Sequence, residues 1–224
     1  MVESEPTRRI VGSTSLPHNQ SRNDCRRIDF AHSDTRLGRA LVNPPARIRP
    51  ELDTLVGLFY AAPEELGQFE EVSRADTPPV YRALLHHEHH MTVTVENFHG
   101  GPVDVRVLEV QHAGRHYARK ILLTRQSDSA VVQFGIMRLN FDYVSDEIRR
   151  DIESEKIPLG RVLIKHDVLR VIHLAALWRV SPGPELCQVF GIRSHEATYG
   201  RTAVIDCNGE PAVELLEIVT PVKE

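Results

Sequence analysis

Cysteine is scarce in this 224-residue chain, and the three present, Cys25, Cys187 and Cys207, are odd in number, far apart and form no CxxC pair. That excludes a disulfide framework and a cysteine-built zinc site, and it points to a reducing, cytoplasmic setting. A basic excess is also missing. Twenty-seven Lys and Arg stand against 31 Asp and Glu, a net charge of -4, whereas a dedicated nucleic-acid binder usually carries clustered cations. No nucleic-acid partner is expected on that ground. The longest strongly apolar run, Val168 to Val180, is broken by Arg170, His173 and Arg179, so no membrane-spanning helix and no membrane partner are expected. The two early arginines have no apolar stretch behind them, and no secretory signal is read there. GxSxG, P-loop and dinucleotide fingerprints are absent as well, and nothing calls for a cofactor or a metal.

What is present is ordinary for a globular protein: 41% hydrophobic and 26% charged residues. The charge is unevenly spread. Residues 1–49 hold nine arginines and five acidic residues, a net of +4, with few large apolar side chains and turn-forming stretches such as Asn43-Pro44-Pro45. A segment so poor in apolar groups cannot offset its ordering entropy by burial, and it reads as a flexible or extended N-terminal arm. Residues 50–224 carry a net of -8 and suit one domain with a single core, either monomeric or paired with a second copy.

Within that domain, Leu52, Leu55, Val56, Phe59 and Tyr60 recur at helical spacing, and a second short helix follows Pro78-Pro79. From Met91 the period changes to two, which predicts a strand over 91–96. Gly100-Gly101-Pro102 then turns into a strand from Val103 to Val110, followed by strands over 116–124 and 130–139. Residues 142–157 read as a helix ended by Pro158-Leu159-Gly160. Segments 198–207 and 211–221 flank Asn208-Gly209, a strong hairpin signal because both residues tolerate positive φ. The predicted class is α+β: an antiparallel sheet of about six strands with helices on one side.

Three groups of residues suggest chemistry. Arg106 and Glu217 sit on strands whose faces mix charged and aliphatic positions. A guanidinium and a desolvated carboxyl projecting into an apolar pocket would suit a small anion, while surface ion pairs explain the same pattern more simply. Arg119 and Lys120 occupy opposite faces of one strand, so one of them shares a side with any pocket, and Arg119 is the candidate second anion contact. His86-His87-Glu88-His89-His90 offers metal-ligand chemistry, and a metal-dependent hydrolase is a rival on that basis. Without HExxH spacing, a polar helix end is the simpler reading. Trp178 reads as core with Leu174 and Leu177.

Four stretches taken together resemble the chorismate lyase family, and more closely its branch of small bacterial and archaeal 4-hydroxybenzoate synthases. They are His90-Met91-Thr92-Val93-Thr94-Val95-Glu96, Val105-Arg106-Val107-Leu108-Glu109, Ile157-Pro158-Leu159-Gly160-Arg161 and Glu217-Ile218-Val219-Thr220-Pro221. The family's fold is shared with ligand-binding domains of some transcription regulators.

The resemblance implies a cofactor-independent lyase that eliminates pyruvate from chorismate to give 4-hydroxybenzoate. It implies catalytic roles for Arg106, as the carboxylate anchor, and Glu217, as the acid or base. Met91, Leu159 and Arg119 join those two as substrate-binding residues around an enclosed, ring-sized pocket. The alternative it carries is a non-catalytic sensor domain of the same fold that binds a small aromatic acid.

Overall fold

The computed structural model describes residues 50–193 and 196–222; the N-terminal arm expected over 1–49 lies outside the described residues. Among the described residues the sheet is seven-stranded and fully antiparallel: β1 (Gly67–Val72), β2 (Val103–Ala113), β3 (His116–Arg125), β4 (Val131–Asn140), β5 (Arg170–Pro182), β6 (Thr198–Cys207) and β7 (Glu210–Val219). Their spatial order is β1-β5-β6-β7-β4-β3-β2. The β6–β7 hairpin turns at Asn208 (φ 54°) and Gly209 (φ 91°), the positive-φ pair its sequence dictates. The expected α+β class is therefore present, with one strand more than the six expected. The additional strands β1 and β5 pair with each other, Phe69 opposite Val180.

Among the described residues six α-helices flank the sheet: α1 (Leu52–Val56), α2 (Pro79–Leu85), α3 (Met91–His99), α4 (Asp146–Glu153), α5 (Leu159–Lys165) and α6 (Pro184–Phe190). They cover both faces, not one. Strand side chains alternate between faces, and the two sets separate cleanly. Leu122, Phe134, Ile136, Leu216 and Ile218 pack with Leu55, Val56 and Leu186 of α1 and α6. Tyr117, Met137, Leu139, Val213 and Leu215 pack on the other face with Ile148, Ile152, Val162 and Leu163 of α4 and α5. On that same face Leu123 and Val219 join Leu84, Leu85, Met91 and Val95 of α2 and α3.

Two local expectations are corrected. Residues 91–96 form the start of α3, not a strand: Met91, Thr92 and Val95 are buried on one helical face, and of these Met91 and Val95 alone would also share a face in an alternating strand. Gly100 (φ 70°) closes this helix in the left-handed region, where glycine is favoured. Pro158-Leu159-Gly160 opens α5 instead of ending a helix, because Pro158 sets an extended φ/ψ before the first turn and its carbonyl accepts from Arg161 and Val162. The preceding helix stops earlier, at Glu153. It is capped by the Ser145 hydroxyl, which accepts from the Ile148 N–H at 3.4 Å, with Asp146 and Glu147 at the positive end of its dipole.

Candidate functional site

The first turns of α3 and α5 converge over the centre of the sheet. Gly160 lets them approach: a Cβ there would lie 3.1 Å from Thr92 Oγ1 and 3.3 Å from His90 Cβ. Arg161 of α5 is ion-paired to Glu96 of α3, whose other carboxylate oxygen accepts from the Val103 N–H at 3.3 Å. Beneath these turns lies a cavity of about 50 Å³. Its roof is His90, Met91, Thr92, Leu159 and Gly160. Its floor is the sheet: Ile121 and Arg119 from β3, Gln133, Gly135 and Met137 from β4, Arg201 from β6, and Leu215 and Glu217 from β7. Glycine at 135 keeps the middle of the floor low; a Cβ would sit 3.3 Å from Ile121 Cδ1.

Four of the five predicted site residues, Met91, Leu159, Arg119 and Glu217, line this cavity. Arg106 does not. It pairs in register with Leu122, and directly opposed residues of an antiparallel pair share a face. Leu122 belongs to the α1/α6 side, so Arg106 points away from the cavity and is exposed. Its neighbour Val105, opposite Leu123, faces inward. The expected carboxylate anchor at Arg106 is corrected on that geometry.

The guanidinium inside the cavity belongs to Arg119, which is 1% exposed. Its Nε and Nη1 have no hydrogen-bond partner among the described residues. Burial lowers its pKa from the ordinary value, the largest influence, while Tyr117 opposes that; a guanidinium nevertheless stays protonated at physiological pH. Lys120, on the other face, lies 3.1 Å from Glu185, 3.4 Å from Glu109 and 4.7 Å from the Tyr60 ring centroid. One strand thus presents a neutralised cation on one side and, on the other, a cation with no carboxylate partner among the described residues.

Glu217 is not free for proton transfer. Arg201, missed in the sequence, stands opposite it in register, and its Nε donates to Glu217 Oε2 at 2.7 Å, with both side chains buried. The rest of this guanidinium holds the loop between α2 and α3. Nη1 donates to the carbonyls of His87 (2.9 Å) and Leu85 (3.4 Å), and Nη2 to that of His89 (3.4 Å).

The histidine cluster is thereby accounted for. His87 Nε2 meets the Leu84 carbonyl at 2.6 Å, and its Nδ1 accepts from the His89 N–H at 3.2 Å. Burial, and then the Arg201 charge, lower its pKa to about 4. His90 is also lowered to about 4, by burial first and then by Arg170 and Arg201, so both rings are neutral at pH 7. Among the described residues no cluster of His, Cys, Asp or Glu is arranged to hold a metal ion, and no helix is long and apolar enough to cross a membrane.

Two further cavity residues went unread in the sequence. Gln133 is 3% exposed and its Oε1 has no partner among the described residues; the same holds for Nε2 of His90. The His90-Met91-Thr92 stretch pointed to the junction but not to the imidazole, and nothing in the sequence marks Gln133.

No protein-family model and no curated protein matches the sequence. Among solved structures the chain is similar to PhnF from Mycobacterium smegmatis, at 10% identity and a TM-score of 0.45, covering 58% of this chain and 63% of that one. It is similar to a GntR-family transcriptional regulator from Bacillus cereus (11% identity, 53% and 92% covered, TM-score 0.39). It is also similar to the C-terminal domain of the histidine utilization repressor from Pseudomonas syringae pv. tomato (10% identity, 55% and 95% covered, TM-score 0.38). The chain therefore spans less than two thirds of the length of PhnF.

The expectation of a chorismate pyruvate-lyase is corrected on the geometry of the site: Arg106 lies on the face away from the cavity and Glu217 is held by Arg201, so the two side chains on which catalysis was to turn do not meet. At such identities the likeness extends to the fold alone, the α+β arrangement of an antiparallel sheet flanked by helices.

Proposed function

We propose that this domain is a non-catalytic sensor that takes a small organic anion, a carboxylate in the first instance, into the cavity beneath α3 and α5. One observation carries the reading: Arg119 is buried, and two of its N–H-bearing nitrogens find no partner among the described residues. Removing a cation from water costs several kcal/mol unless it is paired, and buried donors are almost always satisfied. A carboxylate meeting Nε and Nη1 side-on supplies both the missing charge and a two-pronged hydrogen bond. The free amide groups of Met91 and Thr92, both lining the cavity, add to it. They precede the first intrahelical bond of α3, from Thr94 N to His90 O at 3.1 Å, and the positive end of the helix dipole favours an anion there.

The volume bounds the ligand. A cavity of about 50 Å³ is well below the roughly 150 Å³ that admits benzene, so the ring-sized pocket expected from the sequence is not present as such. An aromatic acid enters by displacing a wall, and the unbranched side chains of Met91 and Met137 are the walls that yield most easily.

The test is calorimetric titration with 4-hydroxybenzoate, benzoate and acetate. At least one is expected to bind, to raise the melting temperature by mass action, and to lose its binding in Arg119→Met. Chorismate is expected to decay no faster with the protein than in buffer. Binding that survives Arg119→Met, or no binding by any of the three, overturns the proposal.

A further inference from the structure

The hydrogen-bonding groups of the cavity narrow the ligand further, on the reading that the cavity holds an organic anion. Three buried side chains lining it carry polar atoms without partners among the described residues: Arg119, His90 and Gln133. They make different demands. Arg119 offers donors only and requires an acceptor. His90, neutral, has one ring nitrogen able to play either part, according to its tautomer. The Gln133 Oε1 atom can only accept, so it requires a donor. No described residue donates to it, and Arg201, on the neighbouring floor position, is committed to Glu217 and to three backbone carbonyls.

Sheet register places these demands at opposite ends. Arg119 stands opposite Met137, and Leu123 opposite Gln133. Gln133 and Met137 are four residues apart on one face of β4, so the two rows are separated by about 13 Å along the strand. The row between them holds Ile121, Gly135 and Glu217, and its low floor at Gly135 is where an apolar body fits. An anion at the Arg119 end therefore presents its far end to Gln133.

We infer that Gln133 is a specificity residue, selecting among small organic anions those that carry a hydrogen-bond donor, a hydroxyl or an amine, at the end remote from the anionic group. A ligand lacking the donor leaves a buried carbonyl oxygen unpaired. A site built to hydrogen-bond such a group discriminates far more sharply than one that only adds or removes a methylene.

The experiment compares 4-hydroxybenzoate and 4-aminobenzoate with 4-fluorobenzoate and benzoate by calorimetry. Wild-type protein is expected to hold the first two at least 10-fold more tightly. In Gln133→Leu that preference collapses to under 3-fold while benzoate still binds, and in Gln133→Glu, which keeps an acceptor, the preference persists. Equal affinities in the wild type overturn the inference and leave the anion-binding reading intact, as does a preference that survives Gln133→Leu. Should none of the four bind, the anion-binding reading itself falls and takes the inference with it. The comparison within the wild type needs no variant, so a failure of Gln133→Leu to fold does not remove the test.

Discussion

Arg201 and Glu217 face each other across β6 and β7, joined by a 2.7 Å hydrogen bond in the buried floor of the cavity. The pair does two things at once. It neutralises the only carboxylate lining the cavity among the described residues, and it fastens the α2–α3 loop through the carbonyls of Leu85, His87 and His89. A glutamate that reads from sequence as an acid–base group is thus one half of a structural strut.

Arg201→Met is expected to destabilise the fold by about 3–5 kcal/mol, because it leaves the Glu217 charge buried without its partner. The double variant Arg201→Met/Glu217→Gln is expected to recover much of that loss. Urea denaturation of the three proteins checks both statements. Strictly additive effects would mean that the two residues do not act as a pair.

Arg106→Ala is expected to change stability by no more than about 0.5 kcal/mol, as for other exposed positions, and to leave the affinity for any carboxylate unchanged. A binding loss comparable with that of Arg119→Met would show that the Arg106 side chain reaches the cavity after all.

Stability is expected to fall as pH drops from about 6.5 towards 4. His87 and His90 are held neutral in the fold down to about pH 4, whereas in the unfolded chain they take up protons near 6.5. The unfolded state therefore binds more protons throughout that window and is favoured by acid. Above pH 6.5 neither histidine contributes a slope. Urea midpoints measured between pH 7 and 4.5 check this, and His90→Asn is expected to flatten the profile. An unchanged slope in that variant would count against a buried, neutral His90.

Strand positions from 103 to 140 and the β6–β7 hairpin were legible in the sequence because alternation and turn chemistry agree there; Asn208-Gly209 admits few other backbone paths. Residues 91–96 misled because Met91 and Val95, four apart, share a face in either period over so short a span; the burial of Thr92 beside Met91 belongs to the helix alone. Strand β5 was hidden because its apolar run, broken by Arg170, His173 and Arg179, shows no alternation of period two. Of the expected site residues, Met91, Leu159, Arg119 and Glu217 line one cavity. Arg106 was misplaced, for a face assignment depends on the register with β3, and the bulge between Val107 and Glu109 shifts that register within the same strand. Arg201 and Gln133 carry no local signal; they matter only for what the fold sets opposite them.

The bare hydrogen at Gly160 has a mechanical consequence. With the α5 backbone seated against His90 and Thr92, and Arg161 tethered to Glu96, the opening turns of the two helices form one jaw. On the proposed reading, a guest that moved the backbone at His90 or Thr92 would press α3 against α5, and the two helices would shift as one body.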